Sequence, residues 1–263
     1  MKRAVSLAGR LLALLALAVL ALQLYFAGRV ALMRWVDPVS TSYERAEMVR
    51  LAVERHQILW SQDWRPYAQI SAHLKRAVIA SEDAGFTDHN GVEWDAIEKA
   101  WERNQAAEAA AAKRNEAAQR RAQKASGTGH APAAPPRLVA PKIVGGSTIT
   151  QQLAKNLFLS GERTAWRKGQ EVLITFMLEA LLPKQRILEI YLNHVEWGEG
   201  VFGAQAAARH YFGVDASALG AAQAARLAVM LPAPKRFEKR PGSAYVVGRA
   251  GTVMARMGAV ELP

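Results

Sequence analysis

Glu82 and Asp83 close a predicted helix and are followed by Phe86, His89 and Gly91. A glutamate flanked by apolar Val78 and Phe86 loses part of its hydration, which raises its pKa and suits it to acid or base work. The same residues also read as a charged helix end with His89 as a local cap, and spacing alone favours that reading. A second stretch begins Gly145-Gly-Ser147-Thr148 and runs through Gln151, Gln152, Lys155 and Asn156 to Phe158. Two glycines there turn the chain into a helix N-terminus, where unpaired N–H groups and the helix dipole suit an anion. Thr148, Gln152 and Lys155 share one face of that helix, and Ile149, Leu153 and Leu157 share another. Thr148 and Gln151 also match a capping box, so a purely structural role stays open. In the third stretch, Arg167 and Lys168 stand four and three residues before Glu171. Such a cluster is either a surface ion-pair group or a carboxylate held ionised in a cleft, its cations facing a phosphate. A fourth stretch, residues 184–203, carries Ile187, Ile190 and Tyr191 as a packing stripe and reads as structural.

The elements that must position these residues are helical. Ser71 caps a helix with Leu74, Ala77, Val78 and Ala80 on one side. Further helices are predicted over 92–105, 148–159, 164–182, 184–195, 205–212 and 217–231, with Gly213 as a C-cap and Pro183 and Pro232 as boundaries. No strand alternation of useful length is present, so the fold class is mainly α. Residues 106–136 differ in kind. Their first part is Ala-rich with Lys, Arg and Glu, favours helix and offers almost no apolar face; their second part is rich in Gly and Pro. They read as an insertion, a frayed helix followed by a flexible loop, disordered and dispensable for catalysis.

The chain has 263 residues, 34 Lys+Arg against 23 Asp+Glu, a net charge of +11 and no cysteine. The absence of cysteine excludes a thiol nucleophile, a disulfide framework and any Cys-ligated metal. The basic balance favours an anionic partner: nucleic acid, an anionic membrane or a phosphorylated substrate. Lys2, Arg3 and Arg10 precede an apolar run over 11–28 that spans about 27 Å as helix at ~1.5 Å per residue, and residues 30–33 extend it. It reads as an uncleaved anchor over 11–33 with residues 1–10 in the cytoplasm and the bulk of the chain outside. The anchor favours a membrane or phosphorylated partner over nucleic acid. Residues 34–70 form a mostly helical lead-in, 71–245 the catalytic domain and 246–263 a C-terminal segment. Walker, Gly-x-Ser-x-Gly and His-Glu-x-x-His motifs are absent, as is the Ser-x-x-Lys and Lys-Thr-Gly pair of penicillin-type acyl transfer.

Glu82-Asp83-x-x-Phe86-x-x-His89-x-Gly91, the run 145–158, Arg167-Lys168-x-x-Glu171 and Arg186-Ile-Leu-Glu-x-Tyr-Leu-Asn193 follow in an order that resembles the peptidoglycan glycosyltransferases, glycosyltransferase family 51. The resemblance covers residues 65–240 apart from the insertion, and with one anchor and no transpeptidase module it looks like the monofunctional, biosynthetic form. It implies a partly lysozyme-like, two-lobed fold beside the membrane, in the bacterial inner membrane with the catalytic domain periplasmic. The implied reaction transfers a growing glycan from undecaprenyl pyrophosphate to the GlcNAc 4-hydroxyl of lipid II, giving β-1,4 links with inversion. Matching the motifs makes Glu82 the general base and Glu171 the second essential carboxylate. Lys155, Arg167 and Lys168 would neutralise the departing diphosphate. Ser147, Thr148, Gln151, Gln152 and Asn156 would hold sugar or phosphate oxygens, and Asp83, Phe86 and His89 would shape the acceptor side. The resemblance implies Mg2+ or Mn2+ with the substrate diphosphate, no protein metal site and no organic cofactor. It implies lipid II and the membrane as partners, leaves room for other cell-wall synthesis proteins, and implies no nucleic acid. Glu93 departs from the family's usual Asp, and the insertion departs more. A lytic, lysozyme-like hydrolase and an inactive membrane-tethered scaffold are the alternatives.

Overall fold

The computed structural model describes residues 2–126, 138–140, 145–162 and 164–263, which are mostly helical. Helix α1 (Lys2–Leu32) contains one segment, Gly9–Leu32, long and apolar enough to cross a membrane. Leu11, Leu12, Leu14, Leu15 and Leu17 are exposed along it. Its end differs: Phe26, Val30 and Met33 are buried in the main core. Their spacing puts them on one helix face.

Thr41 opens α2 (Ser42–Arg50) with a complete capping box to Glu44. The helix widens over Leu51–Arg55 and ends at His56 in the left-handed region, φ 54°. The lead-in is therefore helical over this part and otherwise mainly irregular. Ser71 caps α3 (Ala72–Glu82), accepting the His73 N–H, as the sequence predicts. After α4 (Trp94–Ser126) come α5 (Ile149–Phe158), α6 (Ala165–Leu181) and α7 (Lys184–His194). Helix α8 (Gly203–Phe212) ends at Gly213 in the left-handed conformation, and α9 (Ala221–Met230), α10 (Pro234–Phe237) and α11 (Ala244–Met257) complete the chain.

The chain divides into two compact units, residues 1–92 with 148–263, and residues 93–147. In the larger unit α3 packs on α9 and α11, and α5 packs on α6 and α7. Leu74, Ile79, Phe86, Ile149, Leu153, Ile174, Leu178, Ile187, Tyr191 and Trp197 are sealed in its core. In the smaller unit the Asn115 amide bonds both backbone groups of Val139, and a Cβ on Gly146 would lie 3.1 Å from that of Ala100. The returning chain thus runs against α4.

Four sequence expectations change. Residues 94–126 form one helix, not a helix ending near 105 followed by a frayed stretch. Ala, Glu, Lys, Gln and Arg are strong helix formers and nothing between 105 and 126 interrupts them. Of the loop predicted over 125–136, the first two residues belong to this helix and 127–136 lie outside the described residues. The helix expected over 217–231 is split, with a tight turn at Ala216–Ala218 and α9 starting after Gly220, whose N–H is taken by the Gln223 side chain. A three-stranded sheet exists, β1 (Ser61–Gln62) parallel to β3 (Val201–Phe202) and β2 (Glu196–Gly198) antiparallel to β3. Strands of two or three residues are too short to show alternation. Gly200 permits their close approach: at φ +72° a Cβ there would sit 2.0 Å from the Leu59 carbonyl oxygen. Finally, α11 crosses the expected boundary at 245 and buries Val246, Ala250, Val253 and Met257.

Candidate active site

Asp83 joins the first two motifs. Its Oδ2 accepts the N–H of Ile149, the first residue of α5, at 2.9 Å, and its Oδ1 lies 2.8 Å from His89 Nε2. Gly91 N–H donates to His89 Nδ1 at 3.0 Å. Nδ1 is therefore the acceptor, and Nε2 carries the proton that His89 donates to Asp83. The Thr148 hydroxyl donates to the Gly91 carbonyl at 2.6 Å and accepts the Gln151 N–H, while Gln151 Oε1 accepts the Thr148 N–H. Both bonds of the capping box are thus made. Gly91 sits at φ +86°, and a Cβ there would fall 2.6 Å from Thr175 Cγ2. Only glycine fits that turn.

Glu82, the last residue of α3, accepts a hydrogen bond from Gln152 Nε2 at 2.9 Å. Gln152 Oε1 in turn accepts the Tyr191 hydroxyl, also at 2.9 Å. Burial pushes the Glu82 carboxyl above the usual glutamate range; the Gln152 bond opposes this, and the neighbouring Asp83 charge adds to it. Tyr191 is fully buried, and burial with the nearby Glu82 and Asp83 charges drives its hydroxyl pKa well up. It remains a donor, which fixes which way the Gln152 amide points.

Glu171 is the second buried carboxylate, 3% exposed. Its Oε2 accepts from Arg167 Nη1 at 2.7 Å and its Oε1 from Lys168 Nζ. Thr164 caps the start of α6 and accepts the Arg167 N–H, placing both cations in the first turn. Among the described residues, the buried donors Gln151 Nε2 and Arg167 Nε have no partner, as does Arg226 Nε on α9. Unmade donors of this kind are costly unless an acceptor arrives, which suits an oxygen-rich ligand.

The structure thus brings Glu82 to Gln152, ties Asp83, His89, Thr148 and Gln151 into one network, and groups Arg167, Lys168 and Glu171. Phe86 is fully buried, with Lys184 Nζ 4.6 Å from its ring centre, so its ring packs inside the core. Lys155 and Asn156 are half-buried on α5, and Ser147 ends the smaller unit. Sequence reasoning placed Tyr191 in a packing stripe and in the fourth family motif but gave it no role at the site. It missed Lys184, which donates to the His89 carbonyl at 2.6 Å and to Glu179 at 2.9 Å. Glu179 also accepts the Thr150 hydroxyl. Neither spacing rule for helical pairs reaches a bond that crosses from α6 to α7.

The helical fold thus holds one carboxylate raised by burial and another gripped by two cations. The chain belongs to the transglycosylase family, whose profile matches residues 53–113 and 130–258. It is similar to the biosynthetic peptidoglycan transglycosylase of Paraburkholderia phytofirmans, 50% identical over 252 residues, 95% of this chain and 91% of that one. The protein of the same name from Burkholderia orbicola is 50% identical over 93% of this chain and 86% of its own. That from Bordetella pertussis is 46% identical over 96% and 93%.

Proposed function

We propose that this enzyme is a biosynthetic peptidoglycan transglycosylase that polymerises lipid II into glycan strands. The observation that carries this reading is the contrast between its two buried carboxylates. Glu82 is raised by burial and steadied by a neutral amide, the setting of a base that takes a proton. Glu171 holds Arg167 and Lys168 together, the setting of a group that organises positive charge.

Glu82 takes the proton of the GlcNAc 4-hydroxyl on lipid II. The oxygen attacks the anomeric carbon of the donor glycan from the face opposite its diphosphate. The bond from that carbon to the phosphate oxygen breaks, its electron pair leaves with undecaprenyl pyrophosphate, and the anomeric centre is inverted. Arg167, Lys168 and Lys155 offset the charge on the departing diphosphate. Gln151 and Asn156 offer amides to sugar or phosphate oxygens, with Ser147 and Thr148 at the helix start. Both Glu171 oxygens already face cations, which does not fit a protein metal ligand. Mg2+ or Mn2+ would enter with the substrate diphosphate, whose charge it would help to offset. Lys2, Arg3 and Arg10 keep the start of α1 in the cytoplasm, which puts the catalytic unit on the periplasmic side of the inner membrane.

The test is purified full chain with lipid II and Mg2+ in detergent. Wild type makes lysozyme-sensitive strands. Glu82→Gln loses about 10²–10⁴-fold in rate, the usual worth of a general base. It keeps its melting temperature or gains, because the fold disfavours the charged carboxyl that the amide replaces. Folded wild type that leaves lipid II intact, or cleaves preformed strands, overturns the reading.

A further inference from the structure

The end of α1 borders a cavity of about 230 Å³ that the proposed reaction does not use; Arg29, Met33, Val36, Asp37, Val39 and Arg45 line it among others. It combines an apolar wall with two guanidinium groups. Arg29 donates to the Tyr25 hydroxyl at 2.9 Å and lies over the Tyr25 and Phe158 rings. Arg45 donates to the Ser40 carbonyl and to the hydroxyls of Ser40 and Ser42. Their hydrogen-bond partners are all neutral. The one acid in the lining, Asp37, is bridged by Arg186 at 2.6 Å, and Arg186 also pairs with Glu189. Among the described residues, the Arg29 and Arg45 charges are thus left without a carboxylate.

The surroundings place this cavity at the depth of lipid headgroups. It lies where the membrane-length segment Gly9–Leu32 ends. Trp35 is 76% exposed beside it with Arg34 over its ring, and Val39 is 92% exposed. Aromatic and basic side chains at the end of an apolar span mark the membrane interface. Basic pockets at that level recognise anionic headgroups. We propose that the cavity binds an anionic phospholipid, its phosphate between Arg29 and Arg45 and its glycerol and upper acyl carbons against Leu32, Met33, Val36 and Val39. A zwitterionic choline lipid carries its own cation beside the phosphate and is disfavoured by both arginines. The proposal rests on reading α1 as a membrane anchor.

Native mass spectrometry of the full chain in detergent tests it, with dioleoyl phosphatidylglycerol and dioleoyl phosphatidylcholine as probes. The first phosphatidylglycerol should bind about tenfold tighter than phosphatidylcholine, given two basic residues near the headgroup. Arg29→Gln with Arg45→Gln should abolish that preference. Arg45→Gln alone, which disturbs no ring packing, should reduce it while polymerisation of lipid II in detergent is unchanged. Equal binding of the two lipids by wild type, or a preference that survives the double substitution, overturns the site. So does full displacement by millimolar inorganic phosphate, which would make it a free-anion site, or loss of polymerisation in Arg45→Gln, which would make it part of the substrate path. Carbonate extraction of membranes separates the two readings. A chain that carbonate releases overturns the anchor and the lipid site together. A chain that stays and shows no lipid preference overturns the lipid site alone.

Discussion

Glu82 sits at the end of a chain of two hydrogen bonds that starts at a hydroxyl sealed in the core, from Tyr191 through Gln152. The Gln152 bond stabilises the ionised carboxylate, so removing it moves the Glu82 carboxyl further above the ordinary glutamate range. A base works in its ionised form, and the acid limb of kcat/KM follows that group. Tyr191→Phe frees the Gln152 amide to turn, and Gln152→Leu deletes it. Both should shift the acid limb to higher pH, with the greater rate loss on the acid side and a smaller one in the alkaline plateau. A pH–rate profile whose acid limb stays in place in both variants would show that the relay does not tune the base. The sequence exposed Glu82 and Gln152 through their motifs. Tyr191 also stands in a motif, but there the pattern shows its ring in an apolar stripe and not what its hydroxyl meets.

Helix α4 shows how an element can be read correctly in composition and wrongly in extent. Its Ala-rich half lacks an apolar face, so periodicity assigned it no partner, yet helix propensity carries it unbroken to Ser126. Its partner is backbone: the Asn115 amide satisfies both the N–H and the C=O of Val139, at 2.8 and 3.1 Å. That contact holds Val139 against α4. Asn115→Ala should speed hydrogen exchange at the Val139 amide while leaving the melting temperature within about 1 kcal/mol of equivalent stability, since both groups are near water. Deleting 127–136 should leave polymerisation unchanged, because loop length costs little and no catalytic residue lies there. Unaltered exchange at Val139, or lost activity in the folded deletion, would contradict these two expectations.

At the scale of the molecule, the end of the apolar helix α1 belongs to the main core. Phe26, Val30 and Met33 are 8%, 0% and 4% exposed, and Gln23 exchanges two 3.0 Å amide bonds with Gln170, the neighbour of Glu171. The Met33 carbonyl accepts from Arg186 at 2.8 Å. Each large apolar side chain fully buried is worth about 1.5–3 kcal/mol, an upper figure for three residues near a surface. Removing residues 2–34 should therefore lower the denaturation midpoint of the remaining chain by several kcal/mol in the same detergent. Equal midpoints for the full and truncated chains would mean that the helix only tethers. The sequence by itself determined the mainly α class, the apolar N-terminal helix, the helix caps at Ser71 and Thr148, and the residue types of the two carboxylate clusters. These follow from local propensity, periodicity and capping, which act over a few residues and are written in order along the chain. Only the tertiary structure decided that Asp83 stitches α3 to α5, that Tyr191 aims Gln152 at Glu82, that Phe86 is core and that one face of the last turns of α1 is buried. Each of those depends on atoms brought within about 3–4 Å from residues far apart in sequence, and no local pattern encodes which distant partner packing will supply.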